Sequence, residues 1–282
     1  MTLVADLISI FSFQLILWLA FATRLSRFRT FEFGAQSYTE LVFVRMKYIA
    51  RSIVSDRNLL CLCLTMLLFD SAFLALHGLK GWIPQLDVSL LHLESANGLA
   101  ERFQYLKELA IVALLVVIAC RRSGLAYLTW AMLFIYVFCD DFFKVHQNVG
   151  LYLSKCVELS NPIMGAQTIG ELLVSIAAGT FLFSVIGFTY AVGSQVFRAF
   201  SHDLILLFGL FAFFGIVVDL IPAVFDLNHL IAFMMVGVEE VGELLAMSLI
   251  VIYAYGVSAL EPCLDLRGVT KGARGFGSLV RQ

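Results

Sequence analysis

Charged residues are scarce in this chain of 282 residues, at 14% of the total, whereas 61% of the residues are hydrophobic. Phenylalanine alone accounts for 26 positions. A soluble globule of this length needs far more polar surface than such a composition provides. The scarcity of charge therefore excludes a soluble protein and predicts an integral membrane protein whose surface contacts membrane lipid.

Strict alternation of apolar and polar residues is also missing from the hydrophobic runs. Each run is longer than the roughly 9–11 residues of a transmembrane strand, which excludes an outer-membrane barrel. Windows of about 20 apolar residues predict about seven transmembrane helices. They cover residues 4–23, 58–79, 106–120, 124–144, 164–190, 203–224 and 228–256. The predicted fold class is all-α, a polytopic integral membrane helical bundle.

Basic residues are divided unevenly between the two sides of these spans. Most of the 19 Lys and Arg residues fall on the side that holds segments 24–57 and 261–282. The positive-inside rule makes this side cytoplasmic, with the N-terminus out and the C-terminus in. We expect one transmembrane domain over 1–260 with an outer loop at 80–105, and a basic, Gly-rich cytoplasmic tail over 261–282. The expected location is a bacterial-type inner (plasma) membrane.

The formal net charge of −2 conceals that most carboxylates lie away from the cytoplasmic side, which argues against nucleic acid as a partner. The cytoplasmic loop 24–57 has apolar residues at helical spacing and basic residues on its other face. This amphipathic pattern is typical of a helix in the headgroup layer and allows a docking surface for anionic lipid or for a membrane or cytosolic protein. A plain connector that obeys the positive-inside rule is the simpler interpretation. The pattern does not indicate an oligomeric state.

Carboxylates are present where a membrane helix should have none. The run 228–256 contains Glu239, Glu240 and Glu243, and the first two lie about 15–18 Å deep at 1.5 Å per residue. Because they are three and four residues apart, all three share one broad face. The flanking Gly237 and Gly242 let another backbone approach that face closely.

The other spans place acids and histidines in the same outer half of the bilayer. These residues are Asp70, His77, Glu108, Asp140, Asp141, His146, Glu171 and Asp219. A single charge at the bilayer centre costs about 2.5–3.5 kcal/mol on the insertion scale, so such residues must face inward and be compensated. The inner halves of the same helices carry almost no acids. We therefore predict a polar cavity inside the bundle that opens outward.

Basic residues near this predicted cavity are too few to neutralise it. Helical spacing allows Lys144 to pair with Asp140 or Asp141. Arg102 and Lys107 are the basic residues available to Glu101 or Glu108. None is spaced to reach the acids of the last predicted helix, so these acids must share protons or hold a cation. A structural core of protonated carboxyls that hydrogen-bond between helices is the alternative.

Common metal signatures are missing as well, since there is no Glu-x-x-His pair and no H-E-x-x-H stretch. Carboxylates with one His, drawn from several helices, are nevertheless similar to di-iron and di-manganese carboxylate sites. Asp141 and His146 are five apart, about 140° round a helix, so they face one site only if the helix ends or bends between them. The predicted site holds a divalent metal ion (iron, manganese or zinc) or protons. Its members are Asp141, His146, Glu171, Asp219, Glu239, Glu240 and Glu243, with Asp70, His77, Glu108 and Asp140 as secondary members.

The stretches "CDDFFKVHQ" and "VEEVGELLAMSL" resemble a group of uncharacterised bacterial multi-pass membrane proteins. That group carries a D-[DE]-x4-H-[EQ] stretch and a later stretch with an acidic pair followed by x-x-E. "YLKE", "GELLV" and "GIVVDL" are similar to the same group. The resemblance implies that the acids and His146 form one constellation, and it implies no activity. Gln147 stands where the group commonly has an acid, which weakens a metal site at that position.

Three classes of function are open at this point. In the preferred one, a membrane-embedded enzyme uses the cation to act on a lipid-like substrate that enters from the outer half. In the second, the acids bind protons or cations for a transporter, although the inner half offers little beyond Ser248, Tyr253 and Ser258 to continue a pore. In the third, the protein is a non-catalytic membrane subunit or a sensor.

Overall fold

The structure, a computed structural model, describes residues 53–82, 98–122, 124–156, 165–225 and 228–259. All regular elements within these ranges are helical. The predicted span 4–23, most of the loops 24–57 and 80–105, and the tail 261–282 lie outside the described residues.

Helices account for nearly all of the described residues. They are α1 (Arg57–Trp82), α2 (Leu99–Arg121), α3 (Ala126–Phe143), α4 (Val145–Cys156), α5 (Ala166–Val192), α6 (Gln195–Ala212), a π-helical segment (Phe213–Val218), α7 (Leu220–Val224) and α8 (His229–Ala259). The all-α fold class is thus confirmed over the described ranges.

Five stretches of the described chain are long and apolar enough to cross a membrane. They are Arg57–His77, Leu99–Arg121, Ala126–Phe143, Ala166–Val192 and Gln195–Pro222. Large apolar side chains such as Leu68, Phe181 and Phe188 project from these helices with most of their surface uncovered. Such a surface suits lipid. The chain is a multi-pass membrane protein, whereas the total of seven spans and the orientation of the termini stay predictions.

The helix α8, 31 residues long, carries the three glutamates and packs against α1, α2 and α6. Its C-terminal half is almost wholly buried, in a core that it shares with α2, α3, α5 and α6. Trp130, Phe134, Leu204 and Ile250 lie fully buried in this core. We call this region the apolar core; it fills the bundle toward the ends of α2 and α8 where Arg121 contacts Ser258.

The helix α2 begins earlier in the chain than its hydropathy predicts. The apolar window begins at residue 106, whereas the helix begins at Leu99. The first two turns contain charged and amide side chains, so hydropathy alone does not detect them. They continue the helix because neighbouring helices bury and partly compensate those side chains, including Gln104, Lys107 and Glu108.

Candidate functional site

The helix ends between Asp141 and His146, which is the condition that their five-residue spacing set for the two side chains to face one site. The helix α3 ends at Phe143, and Lys144 adopts the left-handed conformation with φ 52° and ψ 45°. Its backbone N–H donates to the carbonyl of Asp140, and α4 begins at the next residue. The turn returns the chain toward the acids of α3, so that His146 and Asp141 interact electrostatically.

Asp140 holds His146 at the start of α4. The backbone N–H of His146 donates to Asp140 Oδ1 at 2.8 Å, and Nδ1 of its ring lies 2.9 Å from Asp140 Oδ2. The hydrogen bond to Asp140 raises the pKa of His146, against the opposing effect of burial, and Asp141 and Glu171 add to the increase. A carboxylate on one ring nitrogen leaves Nε2 as the nitrogen that can bind a metal or accept a proton.

Two glycines bring α4 and α5 into backbone contact. A Cβ on Gly170 would overlap the carbonyl of Gly150, and a Cβ on Gly150 would overlap the backbone of Glu171. This approach places Glu171 beside α4, where it interacts electrostatically with His146. Its Oε1 accepts a hydrogen bond from Gln167 at 2.8 Å. The two glycines fix the position of Glu171. The pattern of the sequence did not predict this contact.

A π-helical segment positions Asp219. Pro222 has no N–H to donate, which disfavours regular α-helical bonding one turn before it. The N–H of Asp219 instead reaches back five residues to the carbonyl of Phe214, at 3.4 Å. Short π-helical segments occur frequently at functional sites. Asp219 interacts electrostatically with Glu171 and His146 from this position.

Glu243 of α8 meets the same region from the opposite side. Its carboxylate interacts electrostatically with Asp141 and Asp219, and with Glu239 and Glu240 on its own helix. It lies against Gly215 of the π-helical segment, where a Cβ would overlap Glu243 Oε1. The absence of a side chain at Gly215 therefore makes room for this carboxylate.

Gly237 and Gly242 allow close packing, but against aromatic rings rather than another backbone. A Cβ on Gly242 would overlap the ring of Phe214, and one on Gly237 would press on the ring of His77. His77 is buried and stacks on Phe233, with ring centroids 4.3 Å apart and planes at 8°. It is therefore a packing residue between α1 and α8 rather than a member of the acidic site.

Glu108 of α2 is the most unusual side chain in this region. It is fully buried, and neither of its carboxylate oxygens has a hydrogen-bond partner in the described part of the chain. Asp141 and Glu243 interact with it electrostatically, and Asp141 is close without the geometry of a hydrogen bond. Gln104, one turn earlier and also buried, lacks a partner for both amide atoms. Glu108 was only a secondary member of the predicted site.

The neighbouring Lys107 is buried and bonded on several sides, but not to Glu108. Its Nζ donates to Asp70 Oδ1 at 2.7 Å and to the carbonyl of Leu244 at 2.8 Å. Ser248 donates to the other oxygen of Asp70 at 2.6 Å. This polar triad ties α1, α2 and α8 together. Asp70 therefore belongs to the triad rather than to the acidic site.

Lys144 also has a different partner from the expected one. It forms an ion pair with Glu101 on α2, rather than with Asp140 or Asp141 on its own helix. Spacing along one helix could not identify this partner, because the left-handed turn at Lys144 directs its side chain to the neighbouring helix.

Most of the predicted constellation is brought together, as judged by these electrostatic interactions. We call the group the acidic cluster: Glu108, Asp140, Asp141, His146, Glu171, Asp219 and Glu243. Glu239 and Glu240 adjoin it through Glu243. In the described ranges, no three or more His, Cys, Asp or Glu side chains are arranged to hold a metal ion. The iron, manganese or zinc site therefore stays a prediction.

Comparison with known proteins adds no guide to this site. No family model matches the chain, and neither a curated protein nor a solved structure matches it. The resemblance to bacterial multi-pass membrane proteins stays a prediction, as do the inner-membrane location and the partners.

Proposed function

We propose that the acidic cluster binds a divalent cation and that the protein is a membrane-embedded enzyme that acts on a lipid-like substrate. The burial of Glu108 without a partner, beside Asp141, is the observation that carries this proposal. An ionised carboxylate that is removed from water and left unpaired costs several kcal/mol. Two adjacent acids in such surroundings need a proton or a cation between them.

His146 gives the cluster a nitrogen donor of defined orientation. Asp140 engages Nδ1, an arrangement common among metal-bound histidines, where a carboxylate orients the ring. A donor set of several carboxylates and one imidazole suits manganese, iron or zinc. Such an ion would lower the pKa of a bound water and so supply a nucleophile for hydrolysis.

The apolar core supports a one-sided site rather than a transport route. Acids gather where α3 ends and α4 begins, whereas the other end of the bundle is closed by Trp130, Phe134, Leu204 and Ile250. A cation or proton path would have to cross this packed region, where the polar side chains of Ser201, Asp203 and Tyr253 are held in hydrogen bonds. A transporter is therefore the less favoured alternative.

A non-catalytic membrane subunit or sensor is the second candidate. It is favoured by one observation: the acids and histidines of the described ranges form no three-member ligand group. In that case protonated carboxyls of the acidic cluster donate hydrogen bonds to neighbouring acids, and the cluster responds to pH or supports assembly.

The test is elemental analysis of the detergent-purified protein beside Glu243→Gln. The control is Asp203→Asn, which removes a buried carboxylate that accepts from Tyr253 of the apolar core at 2.8 Å and is not a member of the acidic cluster. We expect about one divalent metal ion per chain in the wild type and the control, and loss in Glu243→Gln. Elution profiles check that each variant folds. A wild type without metal would refute the proposal and favour the sensor or subunit.

A further inference from the structure

In the described part of the chain, the buried polar side-chain atoms that lack a partner lie on α2 and α3, two helices that pack against each other. They are the two amide atoms of Gln104, the two carboxylate oxygens of Glu108 and the hydroxyl of Tyr136. Each such group costs about 1–3 kcal/mol when it is left unsatisfied. Their concentration in one region indicates a bound species that satisfies them, rather than scattered defects of packing.

Two of these side chains, Glu108 and Tyr136, interact electrostatically with Asp141. Gln104 and Glu108 are one helical turn apart, so they share a face of α2. Tyr136 also interacts electrostatically with Asp140. Tyr105, on the same helix as Glu108, donates its hydroxyl to the backbone carbonyl of Asp141 at 3.2 Å. The hydrogen bond holds α2 and α3 together beside these acids.

The cationic side chains of this region are already engaged with other carboxylates. Lys107 is held by Asp70, Lys144 by Glu101 and His146 by Asp140. Lys107 also attracts Glu108, and Lys144 and His146 attract Asp141, but each of these side chains is shared with the carboxylate that pairs with it. The charge that remains on Glu108 and Asp141 must be balanced by protons or by a bound cation.

We propose that Gln104, Glu108, Tyr136 and Asp141 form an oxygen-donor subsite for a hard divalent cation, namely Mn²⁺, Mg²⁺ or Ca²⁺. This inference rests on the proposed function and assigns its cation to the ions that prefer oxygen donors. Carboxylate, amide and hydroxyl oxygens are the donors that such ions prefer, whereas Zn²⁺ prefers nitrogen and sulfur. The amide nitrogen of Gln104 donates to a water on the ion.

The subsite also explains why acids and histidines alone form no metal-ligand group. Only two of its donors, Glu108 and Asp141, are carboxylates, and the others come from an amide and a phenol. A group of three His, Cys, Asp or Glu is therefore not expected in the described ranges, and none is present.

The experiment is a Mn²⁺ titration of the metal-stripped, full-length protein in detergent, with free Mn²⁺ measured by electron paramagnetic resonance. Mg²⁺, Ca²⁺ and Zn²⁺ are the competitors. The variants are Glu108→Gln and Gln104→Leu. Glu101→Gln is the matched control, because Glu101 lies on the same helix but is paired with Lys144.

We expect one Mn²⁺ per chain in the wild type, displaced by Mg²⁺ or Ca²⁺. Affinity should fall at least about tenfold in Glu108→Gln and Gln104→Leu, and little in Glu101→Gln. Mn²⁺ binding that is unchanged in both variants but lost in Glu243→Gln would overturn the subsite and leave the proposed function intact. Binding of Zn²⁺ alone would do the same. Binding of none of these ions would overturn both. The wild-type competition decides the metal class even if a variant does not fold.

Discussion

The polar triad of Asp70, Lys107 and Ser248 allows a quantitative test of the packing. Lys107 and Asp70 are both almost fully buried, and their ion pair joins α1 to α2. Replacing Asp70 with Leu leaves the buried Lys107 ammonium with the carbonyl of Leu244, the ring of Phe103 at 4.5 Å and an electrostatic interaction with Glu108, but without its ion-pair partner. Removing one partner of a buried pair typically costs about 3–5 kcal/mol. We expect Asp70→Leu to lower the free energy of unfolding by that amount.

The double variant Asp70→Leu/Lys107→Met separates pairing from burial. Replacing both charges with apolar groups of similar size is often neutral or stabilising, so the double variant should recover most of the loss. The assay is unfolding in increasing SDS, followed by helical circular dichroism. A double variant as unstable as the sum of the two single variants would refute the pairing. So would an Asp70→Leu variant as stable as the wild type.

Two further predictions follow from the site. Asp140→Asn should lower the raised pKa of His146, measured by NMR titration of its ring in metal-stripped protein. The hydrogen bond between Asp140 and protonated His146 should stabilise the fold fully below the ordinary histidine pKa of about 6.5. This stabilisation should be lost as the pH rises through the raised pKa of His146 in the folded protein. Gly242→Ala should destabilise the protein by about 1–3 kcal/mol, because its Cβ overlaps the ring of Phe214, whereas Gly209→Ala has open space and should not. Equal SDS midpoints for the two alanine variants would contradict the described contact.

The sequence predicts the helical membrane fold because an unpaired backbone group in a bilayer costs a large free energy. It predicts the convergence of the acids because a charge exposed to lipid also costs a large free energy. Long apolar runs leave few alternatives in a bilayer, and charges within them must face one another. The spacing of Asp141 and His146 also requires the helix to end or bend between them if they are to face one site. In the structure, the helix ends there, at the left-handed turn of Lys144. These inferences depend on patterns along a single helix.

Contacts between helices were harder to predict. Lys107 and Lys144 each pair with an acid on another helix, and spacing within one helix contains no information about such partners. The start of α2 at Leu99 escaped the hydropathy window because its first turns are polar. The π-helical segment does have a local signal, since Gly215 lies within it and Pro222 follows it.

The central claim is that a cation lies between Glu108 and Asp141. Anomalous X-ray diffraction at the manganese edge, from crystals soaked in Mn²⁺, tests it most directly. The account predicts a peak about 2.0–2.6 Å from oxygens of both carboxylates, and no such peak in Glu108→Gln. A wild-type site that contains only ordered water, with any manganese at the protein surface, would contradict it.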